Sequence, residues 1–150
     1  MSEDTVVKFS SAEVQLVLHA TEGHDKVLAA VEKALSVPAA SFGGEQSEGH
    51  YGNAIMLLGA VVSSSKEAGA LASRIISALN HTDRQELTDH IEEYSDEKGN
   101  LYLRLDKQRL CQGKVSLAES DAVRVKFKPV HRYKPSSSLQ SYRGLLSSIE

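Results

Sequence analysis

Residues 54–79 read AIMLLGAVVSSSKEAGALASRIISAL, and this stretch decides the fold. Its first nine residues, Ala54 to Val62, are apolar at both sets of alternating positions, as in a central strand covered on two faces. Periodicity alone would also fit a buried helix, but the short length and the flanking Gly and Ser favour the strand. Ser64 with Glu67 three positions on is a capping box, in which hydroxyl and carboxylate satisfy backbone N–H groups at a helix start. Ala68, Leu71, Ala72, Ile75, Ile76 and Leu79 then fall along one helical side. A strand running into a capped amphipathic helix calls for a layered domain of sheet and helices.

Upstream, Val14, Leu16 and Leu18 alternate with Glu13, Gln15 and His19, which predicts a half-buried strand over about residues 12–20. Thr21 offers a cap for a helix over about 23–36, striped by Val27, Leu28, Val31, Ala34 and Leu35 and stopped by Pro38. From Ala39 to Tyr51, Gly43-Gly44 and Gly49 punctuate polar and acidic residues, so a long loop of the functional kind is expected there.

Downstream, Thr82 and Gln85 repeat the capping-box spacing ahead of a more acidic helix marked by Leu87, Ile91 and Tyr94. Asp96 to Asn100 is a turn. Leu101, Leu103 and Leu105 face inward on a strand with Tyr102 and Arg104 outward, and Asp106 caps a short helical turn closed by Gly113. Val115 and Leu117 suggest a brief strand, and Val123, Val125 and Phe127 the last, with Arg124, Lys126 and Lys128 on its other face. The order is β-α-β-α-α-β-β-β. This is a single α+β domain over residues 11–128, its largely antiparallel sheet packed against helices, because the final connections are too short for parallel crossovers. Residues 1–10 read as an N-terminal extension and 129–150 as a polar, flexible tail. Deleting Pro135 to Glu150 is expected to leave the melting temperature nearly unchanged.

Composition limits the function. The 150 residues are 41% hydrophobic and 25% charged, a globular balance with enough chain to bury a core without disulfides or structural metals. The longest apolar run is far shorter than the ~20 residues a bilayer span needs, and the acidic start at Met1 to Asp4 does not resemble a secretory signal. One cysteine, Cys111, fits a reducing compartment, so a cytoplasmic protein is expected. Charge is segregated along the chain: residues 1–103 hold 7 Lys/Arg against 16 Asp/Glu, residues 104–143 hold 10 against 3, and Glu150 completes the net −3. Such a chain can present a basic face to a polyanion although its overall charge is negative.

Catalytic chemistry is weakly represented. The six histidines are scattered, there is no second cysteine for a zinc site, and Gly43-Gly44 is not followed by the GK[ST] of a phosphate loop. Neither metal, cofactor nor catalytic residue is expected. The basic strand offers more, because Arg124, Lys126 and Lys128 repel one another along one face, with Arg104 outward on its own strand. An anionic partner would relieve that repulsion. Asp106-Lys107-Gln108 reads either as a helix start at which Lys107 and Arg109 meet a phosphate or as an N-cap beside a solvated lysine. In EGHYGN, residues 48–53, the glycines allow close approach and His50 and Tyr51 can stack on unpaired bases. The other reading is a structural turn in which Tyr51 covers the sheet edge.

EGHYGN, together with LYLRLDKQ at residues 101–108, preceded by EKGN and followed by Gly113, resembles the signature segments of an archaeal RNA-binding domain family. That family is described as a predicted exosome-associated or small nucleolar ribonucleoprotein component, and its members resemble in fold the ribosomal protein that holds 5S rRNA. The resemblance spans about residues 11–128. It departs at Ala54, where the family usually has proline, and at Arg109, Leu110 and Cys111, where small or aromatic residues are usual. It implies a non-catalytic RNA-binding protein of archaeal RNA processing or ribosome biogenesis. Partners would be ribosomal or other non-coding RNA, with exosome or ribosome-biogenesis proteins. The candidate RNA-contacting residues are His50, Tyr51, Arg104, Lys107, Arg109, Arg124, Lys126 and Lys128. The alternative is a protein-interaction adaptor on the same fold that does not touch RNA. A small-molecule enzyme with the 39–51 loop as lid is a third.

Overall fold

The computed structural model describes residues 9–19, 21–48, 54–129 and 142–146. Among them, strand β1 (Phe9–His19) leads to helix α1 (His24–Leu35), and a 3-10 turn at Ala39–Ser41 leads to β2 (Gly43–Glu48) and β3 (Ala54–Val62). Two helices follow, α2 (Ser65–Ala78) and α3 (His81–Asp89), then a 3-10 turn at Ile91–Tyr94 and β4 (Leu101–Asp106). Helix α4 (Lys107–Cys111), β5 (Ala122–Pro129) and a last helix, α5, at 142–146 complete the described chain. All five strands join one antiparallel sheet in the order β2-β3-β1-β5-β4. The α+β class and the single domain are therefore as the sequence implies.

Alternation along the strands sorts the two faces. Ala12, Val14, Leu16 and Leu18 of β1, Leu101, Leu103 and Leu105 of β4, and Val123, Val125 and Phe127 of β5 are buried with Val27 and Val31 of α1 and Leu71, Ile75 and Ile76 of α2. Ser64 caps α2 as its sequence predicts, accepting from the Glu67 N–H. For α3 the cap is Asn80, which accepts from the Asp83 N–H at 2.8 Å, two residues before the expected Thr82. Asparagine is an equally good N-cap, and the helix starts where it stands.

Three expectations for the sheet need correction. The predicted 39–51 loop contains strand β2: Gly43 to Glu48 pair with β3 although their composition disfavours strand, because tertiary pairing overrides local propensity. The predicted 115–117 strand is a single bridge, Leu105 to Leu117, with the Asp106 N–H on the Ser116 carbonyl and the Ala118 N–H on the Arg104 carbonyl. It shields the outer edge of β4 rather than extending the sheet. Finally, among the described residues β3 is covered on one face only. Leu57 and Val61 are 44% and 67% exposed, because the helices pack on the opposite side.

Within the expected tail, residues 142–146 pack against the core. Tyr142 is 1% exposed, its ring stacked on Phe9 at 6.1 Å, and its hydroxyl donates to the Gly99 carbonyl. Leu146 is buried, and Arg143 donates to the Thr88 carbonyl and lies 3.6 Å from Glu92. Helix α5 is therefore part of the core.

Candidate nucleic-acid interface

Among the described residues one sheet face carries no helix, and the pairing register lays out its side chains in rows. Arg104 of β4 stands directly opposite Arg124 of β5, and the same row continues through Gln15 of β1 to Gly59 of β3 and Gly43 of β2. The next row holds Tyr102, Lys126, Glu13 and Val61. Period-two alternation in LYLRL and VRVKF is what brings Tyr102, Arg104, Arg124, Lys126 and Lys128 to one surface.

These cations differ in their surroundings. Lys128 is held 3.2 Å from Glu13, and the Lys126 ammonium lies 5.6 Å from the Tyr102 ring centroid in a cation–π contact. Tyr102 is itself anchored, its hydroxyl donating to Asp96 at 2.7 Å. Burial and that hydrogen bond push the phenol pKa above its ordinary value, so it stays a donor. Asp96 also accepts from the Asn100 amide and from two backbone N–H groups. Burial alone would raise its pKa, but these bonds hold the carboxyl below the usual value. Arg104 and Arg124 are exposed, and no carboxylate among the described residues pairs with either.

Lys107 does not belong to this surface. It is 1% exposed, and its three ammonium protons meet three acceptors at 2.8 Å: the Val17 carbonyl, Glu22 Oε1 and Asp121 Oδ1. The reading of Asp106-Lys107-Gln108 as a phosphate-meeting helix start is corrected accordingly. Asp106 does cap α4 through the Arg109 N–H, but the lysine turns inward to tie β1, the β1–α1 turn and the turn before β5 together. Arg109 is exposed on α4, off the sheet. His50 and Tyr51 lie outside the described residues; the segment that contains them joins Glu48 to Ala54, which pair across β2 and β3.

Sequence reading places Tyr102 and Gln15 on outward strand positions but leaves both out of the candidate RNA-contacting residues. The signal was present in the alternation, which puts each on the same side as a candidate cation. Metal chemistry has one geometric candidate among the described residues: Glu86, His90 and Glu93 bring ligand atoms within 4.8 Å. They form a solvated cluster on and beside α3, with His90 Nδ1 3.0 Å from Glu86, which raises the imidazole pKa. Among the described residues no helix is long and apolar enough to cross a membrane.

Comparison with known proteins follows the same lines. A family described as RNA binding matches residues 11–129. A protein of Pyrococcus abyssi named as an RNA-binding protein is 32% identical over 120 residues, 77% of this chain and 78% of that one. A solved DUF54 protein of Methanothermobacter thermautotrophicus superimposes with a TM-score of 0.77 at 26% identity, covering 93% of this chain and 98% of the other. One from Sulfolobus solfataricus shares the fold at 22% identity, with a TM-score of 0.72 over 92% of this chain and 98% of that one. With the match running from β1 to the end of β5 and so taking in every strand of the sheet, the chain belongs to the RNA-binding family.

Proposed function

We propose that the helix-free sheet face binds RNA, with Arg104 and Arg124 gripping phosphates and Lys126 adding charge beside them. The observation that carries this reading is the Arg104–Arg124 pair: two exposed arginines at directly opposed positions of neighbouring strands, without a carboxylate partner among the described residues. Like charges in that position destabilise a sheet, and a planar guanidinium fork suits phosphate oxygens. An RNA backbone would turn the repulsion into attraction. The setting we propose is RNA processing or ribosome biogenesis in an archaeal cell, with exosome or biogenesis proteins as neighbours. The resemblance of the two signature segments suggests that setting, and the name of the Pyrococcus relative supports RNA binding. The role proposed is binding rather than catalysis.

Salt dependence tests this. Fluorescence anisotropy with a single-stranded RNA oligonucleotide should give a plot of log affinity against log salt with a slope of roughly −0.7 per phosphate neutralised. Arg104→Ala and Arg124→Ala should each make that slope shallower by about 0.7. Neither should lower the melting temperature, because each removes a repulsion. An unchanged slope in both variants overturns the proposal.

His50 and Tyr51 are proposed as base-stacking partners for the same RNA. Tyr51→Ala should weaken RNA binding by about 1–3 kcal/mol and leave the salt slope where it was. A lower melting temperature with full affinity in the folded fraction would make the segment architecture only. Exposed Leu57 and Val61 favour the second reading, a protein-docking surface. Salt-independent capture of a protein partner, with no RNA affinity, would select it.

A further inference from the structure

The geometry points to a nucleobase slot floored by Gly43 and Gly59, with Gln15 placed to read the edge of the base. The two glycines face each other across β2 and β3 on the helix-free side. They open a depression of about 870 Å³, bordered by Leu57 and Val17 on one side and Arg124 on the other. Clefts that hold small ligands commonly span about 300–1,000 Å³.

Packing does not explain these glycines. A Cβ added at Gly43 would meet nothing within 4 Å, and one at Gly59 would make only ordinary contacts at 3.8 Å, to Gln15 and the Val14 carbonyl. Neither has a positive φ. Their neighbour Gly44 supplies the contrast, since a Cβ there would sit 2.3 Å from the Leu58 side chain and 2.9 Å from the Leu57 carbonyl. Gly44 is required by the core, whereas Gly43 and Gly59 weaken their strands with no packing return among the described residues. Glycine within a strand often marks a place where another molecule approaches the backbone closely.

The chemistry around the floor selects the occupant. Two bare strand segments give a flat surface, Leu57 and Val17 make one wall apolar, and a planar aromatic ring fits such a space. Gln15 is exposed beside Gly59, and its amide makes no hydrogen bond to any described residue. A carboxamide offers both donor and acceptor to the polar edge of an unpaired base. Arg124 borders the slot and belongs to the proposed phosphate grip, so base and phosphate of one nucleotide would be held side by side. This inference rests on the RNA reading of the same face and adds that the bound RNA is single-stranded at this point.

The test uses the full chain, a single-stranded RNA oligonucleotide and its abasic counterpart with the same phosphates. Gly59→Val should keep or slightly raise the melting temperature, because valine suits a strand and the backbone conformation is open to it. It should weaken binding of the normal oligonucleotide by at least about fivefold, the lower end of one base contact. Binding of the abasic strand should be unaffected. Arg124→Ala should weaken both strands alike. If Gly59→Val binds the normal strand as the wild type does, or if both strands bind the wild type equally, the slot is wrong while phosphate binding stands. If the wild type binds neither strand, the RNA reading itself fails and the slot with it. Gly59→Ala, a smaller change, guards against misfolding of the valine variant and should weaken the normal strand while leaving the abasic strand unaffected.

Discussion

Lys107→Met is expected to destabilise the protein by about 3–5 kcal/mol, the cost of breaking a buried ion pair by removing one partner. The methionine fills most of the lysine volume, so the loss would come from charge rather than a cavity. Glu22, whose side chain is 14% exposed, would lose the ammonium 2.8 Å away, while its second oxygen already has no partner among the described residues. Asp121, 46% exposed, can recover solvation from water and contributes less. Lys107→Arg should not rescue the loss, because a planar fork cannot meet three acceptors arranged around a tetrahedral ammonium. Pairing Lys107→Met with Glu22→Gln should cost less than the two changes added, since the orphaned charge is then absent. Urea denaturation of the four proteins measures this, and strict additivity would show that the cluster is not coupled.

The same cluster gives a pH dependence with a definite sign. Burial alone would raise the Glu22 pKa, but the hydrogen bonds from Lys107 and from the His19 N–H bring it below 4.5. A carboxylate whose folded pKa is depressed stabilises the fold above its unfolded pKa, and that contribution is lost as pH falls through the folded value. Burial alone would lower the Lys107 pKa, whereas hydrogen bonds to Asp121 and Glu22 raise it above 10.5. Its contribution is therefore complete below 10.5 and lost as pH rises through the folded value. In Lys107→Met, Glu22 keeps its burial and the His19 N–H bond but loses the ammonium, so its pKa rises and protonation relieves the variant. The stability gap between wild type and variant should be widest near neutral pH and narrow as pH falls towards 4. A gap constant from pH 7 to pH 4 would mean that Glu22 does not feel the lysine.

Lys107 also shows where sequence reading stops. Local pattern located it correctly at the first position of a capped helical turn, and an exposed lysine is the ordinary outcome there. Its three acceptors are Val17, Glu22 and Asp121, separated from it by 90, 85 and 14 positions, and no window of sequence contains them together. The strands with strict alternation were legible because one face is buried and the period records it. β2 was not legible, since Gly43-Gly44-Glu45-Gln46-Ser47-Glu48 becomes a strand only when β3 is there to pair with it. The basic row on β5 could be read from spacing alone, but the opposition of Arg104 and Arg124 required the register of two strands. What local periodicity encodes could be recovered; what depends on two distant segments meeting could not.

Tyr142 belongs to the second class, and its removal is the other large expected effect. The segment around it is polar, with a serine run at Ser136 to Ser138, so sequence favours a free tail. Yet the ring stacks on Phe9, which in turn packs at 5.0 Å against Phe127, joining α5 to β1 and β5. Its hydroxyl meets the Gly99 carbonyl in a turn where Gly99 adopts φ 85°, so the docking also fixes the approach to β4. Tyr142→Ala should cost about 3–5 kcal/mol, the range for truncating a buried aromatic ring. Tyr142→Phe should cost only about 1 kcal/mol, the worth of the single hydrogen bond. Deleting Pro135 to Glu150 should lower the melting temperature by at least as much as Tyr142→Ala, roughly 6–20 °C for a chain of this length. RNA affinity of the folded truncated protein should be retained, since α5 packs away from the arginine row. If the deletion melts within a degree or two of the full chain, α5 contributes nothing to the core, and the stack on Phe9 is not a stabilising contact.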